Sequence, residues 1–438
     1  MTRHLDHTHD PATKSWLDSA RRPGADFPIQ NLPLGVFRRR TDSDSPRLGA
    51  AIGDQVVDLN RAVGQGLLAG CAPELQAAVA ARTLNPLMAL GRTGATELRH
   101  RLFALLKEGA PDRQAASHCL VPAETVELLL PADIGDYTDF YASIFHATNV
   151  GSMFRPENPL LPNYKYLPIG YHGRASSIVP SGTPIRRPMG QIKEGQAPDP
   201  VFGPSRSLDY ECEIAAYLCG ANPLGTEVPM AEAESRLFGI CLLNDWSARD
   251  VQSWEYQPLG PFLAKNFAST LSPWIVTMDA LAPFRVPSFD RPAGDPDPLP
   301  YLHAESDRRS GGIDVTVEVS LSSQKMRADG LPPVRLSVGR LAMMYWTFAQ
   351  LVAHHASNGC NLRPGDLLGS GTISGPTRES RGCLLEMTWR GAEPITLPSG
   401  ELRRFLQDGD EVIMRGACER EGAARIGLGE CRGTVVAA

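Results

Sequence analysis

The spacing of hydrophobic and polar positions changes character along the chain. Residues 1–20 form a polar leader with no periodicity. Beyond it, Gly35–Arg39 and Leu48–Ile52 read as short strands, and Gly53-Asp54 supplies a turn before Gln55–Asp58. Helical periodicity follows in Pro73–Ala81 and Ala95–Glu108, and a connector runs from Pro111 to Pro131. From Pro131 onward, short β-branched or aromatic runs alternate with Gly/Pro turns: Ser177–Pro180, Leu208–Leu218, Phe238–Leu243, Trp274–Met278, Asp314–Ser320, Leu384–Trp389 and Glu411–Arg415. The one long helix predicted there is Val338–Ser357, where Leu341, Tyr345, Phe348, Val352 and His355 form an apolar stripe closed by Asn358-Gly359. The pattern predicts a mostly β fold with some α: a compact barrel with helices and a connector over 21–130, then a large strand-rich domain over 131–438.

Length agrees with two domains, since 438 residues exceed the usual size of one. A net charge of −6 offers no basic face to nucleic acid. The nine cysteines are odd in number and hold no C-x-x-C pair, which fits reduced thiols rather than a disulfide or zinc framework. The leader lacks the apolar run of a signal peptide, and no stretch reaches the roughly 20 apolar residues of a membrane span. A cytoplasmic protein that engages neither membrane nor nucleic acid is expected. His4, His7 and His9 sit in a polar terminal segment, where histidines ordinarily have no specific task.

The densest chemistry lies in Leu208–Leu218. As a continuous strand it places Asp209, Glu211 and Glu213 on one face, opposite Leu208, Tyr210, Cys212 and Ile214. Three carboxylates on one face repel each other; a hard cation such as Mg²⁺ or Ca²⁺ relieves that, while a solvated edge strand is the plainer alternative. Asp245 follows the apolar run Phe238–Leu243, either capping a helix Trp246–Glu255 or joining the acids. On that helix Arg249, Gln252 and Tyr256 share a face suited to an anion, with Trp246 and Trp254 on the buried side. Lys265 lies among Phe262, Leu263 and Phe267, an apolar setting that would partly desolvate it.

His146 closes a segment rich in Asp and Tyr (Asp136, Asp139, Tyr141) and is a candidate general base. Glu386, expected on an apolar strand, could orient it. His354-His355 reads as packing at the helix end. Gly369–Gly375 lacks the Gly-Lys-Ser/Thr ending of a phosphate loop and instead lets Thr372 approach a substrate; Asp408-Gly-Asp-Glu411 reads as a turn.

Long strings among these residues resemble the fumarylacetoacetate hydrolase family: Asp136-Tyr-Thr-Asp-Phe-Tyr141, His146-Ala-Thr-Asn-Val-Gly151, Gly170-Tyr-His-Gly-Arg-Ala-Ser-Ser177, Asn244-Asp-Trp-Ser-Ala-Arg-Asp250 and Ser370-Gly-Thr-Ile-Ser-Gly-Pro376. The resemblance implies an SH3-like N-terminal domain, a mixed β-roll catalytic domain, and a homodimer. It implies metal-dependent hydrolysis of a carbon–carbon bond in a diketo acid. Metal ligands would be Asp139, Glu211, Glu213 and Asp245, leaving out Asp209 and Asp136. His146 would be the base, oriented by Glu386, with Arg249, Gln252 and Lys265 on the attacked carbonyl. Tyr141, Arg155, Tyr171, Gln252, Tyr256 and Thr372 would contact substrate. Lys265 and Ser269 would stand beside the cations, although Ser269 replaces the family's usual threonine. Ile144-Phe145 replaces polar residues, and Arg155–Asn163 is shorter than in animal relatives; both segments are expected near the mouth of the site. The runner-up is an acylpyruvate hydrolase or decarboxylase on the same fold. A non-catalytic calcium-binding protein would leave His146, Glu386 and Lys265 without work.

Overall fold

The strand Cys212–Leu218 is buried along its whole length, and the fold is arranged around it. The computed structural model describes residues 5–40, 45–193, 195 and 197–438; His4 lies outside these described residues. Cys212, Ile214, Ala216 and Leu218 face the larger hydrophobic core, whereas Ala215 and Tyr217 face a second one. The neighbouring strand Leu237–Asp245 divides likewise, Ile240 and Leu242 to one core, Cys241 and Leu243 to the other. Strands covered on both faces read as nearly continuous apolar runs. A polar side chain placed on either has no route to bulk water except at the strand ends.

These two strands centre an eight-stranded mixed sheet. Its order is Gly170–Gly173, Tyr137–Phe140, Leu367–Gly369, Cys212–Leu218, Leu237–Asp245, Ser269–Leu271 and Ile178–Pro180, with Val276–Thr277 also paired to Leu237–Asp245. The Tyr137/Leu367 and Ser269/Ile178 pairings are parallel. One face packs on a five-stranded sheet of Val334–Arg340, Thr316–Ser322, Glu411–Cys418, Ile426–Val436 and Ile185–Arg186, which contributes Val317, Val319, Val412 and Met414 to the larger core. Gly433 permits that approach, since a Cβ there would lie 2.6 Å from the Trp246 indole.

The other face is covered by the N-terminal unit. Its antiparallel sheet runs Leu120–Pro122, Gln55–Asp58, Arg47–Ile52, Leu34–Arg39, Val126–Leu129. Helices form at Pro73–Val79 and Gly91–Leu106, close to the predicted spans. Leu98, Leu102 and Leu106 of the second helix share a core with Tyr137, Tyr217, Phe238 and Ile275 of the central sheet.

Besides Leu208–Leu218, which is two strands, Leu208–Asp209 and Cys212–Leu218, three elements differ from expectation. Val338–Ser357 is not one helix: a strand runs to Arg340, a 3₁₀ turn covers Leu341–Met343, and the helix spans Phe348–Ala356. The helix starts where Thr347 and Gln350 form a reciprocal capping box, at 3.2 and 3.0 Å. The residues before it satisfy their backbone in a ladder with Thr316–Ser322. The predicted helix Trp246–Glu255 begins only at Arg249, because Ser247–Ala248 pairs with Leu208–Asp209. Trp246 is buried as expected, but Trp254 is 40% exposed, beneath Lys193. Finally, Leu384–Met387 is a single helical turn, not a strand.

The leader packs down rather than trailing: Thr8 and His9 are buried, and His9 Nε2 lies 2.8 Å from the Asp279 carbonyl. Arg99 holds it there, donating to Thr8 Oγ1 (3.0 Å), Thr8 O (3.3 Å), Asn31 O (2.8 Å) and Gln30 O (2.6 Å). Burial pushes this guanidinium down to about 10, yet it stays charged at neutral pH. Arg99→Met orphans all these acceptors and should lower unfolding free energy by ~2–4 kcal/mol. Urea denaturation, with limited proteolysis of the first residues, measures this; an unchanged midpoint would show that Arg99 does not anchor the segment.

Candidate active site and metal centre

Asp139, Glu213 and Asp245 belong to strands of the central sheet, and its register brings them together. Asp139 pairs with Tyr171 and Gly369, Gly369 with Ala215, and Asp245 with Ser269. Glu211 enters from the bend between Leu208–Asp209 and Cys212–Leu218. All four carboxylates are buried, and each offers an oxygen within 4.8 Å of the others. Gly369 leaves them room: a Cβ there would lie 2.6 Å from Asp139 Oδ1 and 3.0 Å from Glu213 Oε2.

The fourfold negative charge is only partly met. Lys265 Nζ reaches Glu211 Oε2 and Asp245 Oδ2, both at 2.5 Å, and Arg249 donates to Glu211 Oε1 at 2.7 Å. Ser269 and Tyr171 hydroxyls donate to Asp245 at 2.9 and 3.1 Å, and the Gly371 amide to Glu213 Oε2 at 3.0 Å. Asp139 Oδ1 and Glu213 Oε1 are buried without any hydrogen bond. Burial opposes ionisation of Glu211, but Lys265 and Arg249 outweigh it and hold the group well below the usual carboxylate range. At Asp139 the more distant Lys265 does not prevail: burial and Asp245 push the group up to about 8. Burial, with Asp139 and Asp245, drives Glu213 upward too. Unbonded carboxylate oxygens crowded in a dry site are a donor set for a hard divalent cation, so the residues fit a metal.

Asp209 is not part of this cluster. The strand breaks after it, so alternation does not carry it onto the Glu211/Glu213 face. Its carboxylate instead accepts Arg249 Nε at 2.9 Å and the amides of Leu384 and Leu385 at 2.8 and 2.9 Å. It thereby aims the arginine. Asp136 is also outside, paired with Arg363. Asp245 ends its strand and caps no helix. Lys265 is desolvated as expected, but not by the residues expected: Phe262 and Leu263 are exposed, and the lysine is buried against carboxylates.

The helix Ile144–Phe154, capped by Ser143, presents His146. Its Nδ1 lies 2.6 Å from Glu386 Oε2 on the one-turn helix, leaving Nε2 free of hydrogen bonds among the described residues. Asn149 and Ser374 donate to Glu386, each at 2.8 Å. Burial pushes Glu386 up, but His146 and these donors prevail, setting it at about 2. An ionised Glu386 makes Nδ1 the protonated nitrogen and Nε2 the basic one. Tyr141 packs edge-on against the imidazole, with ring centroids 5.2 Å apart.

His146, Asp139 and Glu211 open onto one cavity of about 640 Å³. Its wall also holds Arg249, Gln252 and Lys265. Tyr141, Arg155, Tyr171, Tyr256 and Thr372 line it as well, and the buried Thr372 hydroxyl has no partner. Ser269, Glu213, Asp245 and Glu386 stand behind this wall. Ile144 and Phe145 do not line the cavity; Ile144 packs on the core and Phe145 meets Phe289 edge-on. His355 is a packing residue, with Nε2 2.8 Å from Thr138 Oγ1. Asn149 was not singled out by sequence reasoning, although its i+3 spacing from His146 is a helical signal. Ser374 and Arg390 were also overlooked.

Asp139 holds its proton more tightly folded than unfolded, with a pKa moved from 3.8 to about 8. The folded state then carries the extra proton in this interval, so metal-free stability falls as pH rises through it. A bound cation displaces that proton. Metal should therefore raise the melting temperature more at about pH 8 than at about pH 5. Calorimetric melting of chelator-treated and metal-loaded protein tests this. A pH-independent metal effect would mean that Lys265 and Arg249 already satisfy the cluster.

The fumarylacetoacetase N-terminal family model matches residues 30–131, and the fumarylacetoacetate (FAA) hydrolase C-terminal model matches 137–436. The fumarylacetoacetase of Caenorhabditis elegans is 50% identical over 423 residues, spanning 94% of this chain and 97% of that one. The Homo sapiens fumarylacetoacetase is 48% identical over 422 residues, with the same coverage. Among solved structures, a fumarylacetoacetate hydrolase from Exiguobacterium antarcticum aligns at 16% identity and a TM-score of 0.49, over 93% of this chain and 100% of that one. The chain belongs to the fumarylacetoacetase family and is a hydrolase.

Proposed function

We propose that this enzyme hydrolyses the carbon–carbon bond of 4-fumarylacetoacetate to fumarate and acetoacetate, the last step of tyrosine catabolism. The observation that carries the reading is a buried imidazole, fixed by Glu386 at 2.6 Å, opening onto the same cavity as the carboxylate cluster. Asp139, Glu211, Glu213 and Asp245 would hold Mg²⁺ or Ca²⁺, which polarises the diketone oxygens and stabilises enolate charge when bound.

His146 Nε2 takes a proton from water, and Glu386 stabilises the imidazolium that results. The hydroxide oxygen bonds to the carbonyl carbon beside the fumaryl double bond. Arg249, Gln252 and Lys265 face the oxygen that gains charge. Arg249 has a terminal nitrogen free for this, since its Nη2 makes no hydrogen bond. As the oxyanion collapses, the bond to the central carbon breaks and its electron pair leaves as the acetoacetate enolate. The proton on His146 returns to that carbon, so the site is restored. Tyr141, Arg155, Tyr171, Tyr256 and Thr372 line the space for the diacid. We place the enzyme in the cytoplasm as a homodimer, on the strength of the family resemblance.

Chelated protein should stop consuming the diketone, followed by its near-ultraviolet absorbance, and recover with Mg²⁺ or Ca²⁺. Full activity after thorough chelation would exclude the metal-assisted route. His146→Ala should lower kcat by about 10²–10⁴ while its metal titration stays normal. Near-normal turnover would remove His146 as the base. Glu211→Gln should weaken metal binding; an unchanged titration would take Glu211 out of the ligand set.

A further inference from the structure

Arg390 lines the active-site cavity, and among the described residues its contacts are backbone carbonyls and an aromatic ring, with no carboxylate. The chain follows an uncommon path to place it there. Trp389, Arg390 and Gly391 are successive left-handed residues, with φ of 47°, 59° and 85°. Non-glycine residues adopt that region rarely, and two in succession need the surroundings to impose it. Here the Arg390 amide donates to the Leu385 carbonyl at 2.9 Å, tying it to the one-turn helix that carries Glu386. Its guanidinium lies 4.5 Å from the Phe154 ring centroid and donates to the Met153 carbonyl at 3.3 Å. Both belong to the C-terminal end of the helix that carries His146.

Arg390 thus bridges the two elements of the catalytic dyad, at the opposite end of the His146 helix from the imidazole. Eight residues separate His146 from Phe154, about 12 Å along a helix axis. An acyl chain whose carbonyl is attacked at His146 and which extends along this helix would bring its far end toward the guanidinium. Its packing on Phe154 leaves part of the planar fork open to a carboxylate.

We propose that Arg390 binds the terminal carboxylate of the acyl arm, the one released with the acid product, and so selects diketo diacids over mono-acids. This rests on the diketone hydrolysis proposed above. Arg390 is absent from the residue set that the family resemblance supplied.

The test compares the fumaryl diacid with a diketo mono-acid whose acyl arm ends in methyl, using metal-loaded enzyme. Arg390→Met should raise KM for the diacid tenfold or more while changing kcat less than threefold. Kinetics on the mono-acid should not move, and Arg390→Lys should recover part of the KM. Equal losses on both substrates would make Arg390 a cap of the His146 helix and overturn the proposal. No change on either would overturn it too. Failure of the functional reading looks different: wild-type enzyme would turn over neither compound. The choice is then read from binding, by tryptophan fluorescence. A diacid preference abolished by Arg390→Met supports the subsite, and equal affinities for the two acids remove it.

Discussion

Placing four carboxylates inside a sheet that has no solvent-facing side is the constraint on which this structure turns. Like charges at this spacing cannot all ionise in a low-dielectric interior without compensation. Lys265 and Arg249 compensate part of it, on the Glu211/Asp245 side. Only Glu211, which both cations touch, is held low; burial drives Asp139, Glu213 and Asp245 upward, Asp245 despite its contact with Lys265. The imbalance is local and directional. It leaves carboxylate oxygens suited to a cation beside an ammonium and a guanidinium held in fixed positions, with Arg249 Nη2 unbonded.

The dyad shows the opposite use of burial. Glu386 is fully buried, yet Asn149, Ser374 and His146 all hydrogen-bond to it, so it is ionised at about 2. Hydrogen bonds to the charged form win over desolvation here, whereas desolvation wins at Asp139. One site therefore contains a carboxylate that orients an imidazole and others whose crowded oxygens fit a divalent cation. What separates them is the balance of neighbouring charge: Glu386 faces an imidazole and two neutral donors, whereas the clustered carboxylates face one another.

Much of this was legible beforehand, unevenly. Alternation along a strand put Glu211 and Glu213 on one face, because side chains on strands repeat every two residues whatever the fold. The same rule wrongly retained Asp209, since nothing local announces that the strand bends at Tyr210 and pairs anew with Ser247–Ala248. The solvated-edge alternative for this face depended on burial, which only the tertiary structure decides. Asp139 and Asp245 come from strands far apart in sequence, and their convergence is a property of sheet order; the end of its apolar run already offers Asp245 as an acid or a cap, whereas the family resemblance is what assigns Asp139 to the metal set. Glu386 was read as a strand residue because one helical turn is too short to show a period. Arg390 escaped notice because its placement depends on left-handed backbone, which its residue type does not signal.

The N-terminal unit contributes to the chemistry without touching the cavity. Asp139, Glu213 and Asp245 each stand two residues from Tyr137, Ala215 or Leu243 on the same strand, and so share the face of these residues, which point to the core shared with that unit. The carboxylates therefore lie on the face that the unit covers. Removing that cover would let water reach the strands, and the desolvation that raises Asp139 and Glu213 would fall away. Their oxygens would be hydrated, and a cation would have to displace that water to bind. A small domain that contributes no catalytic group can therefore set the metal affinity of its neighbour by keeping one face of a sheet dry.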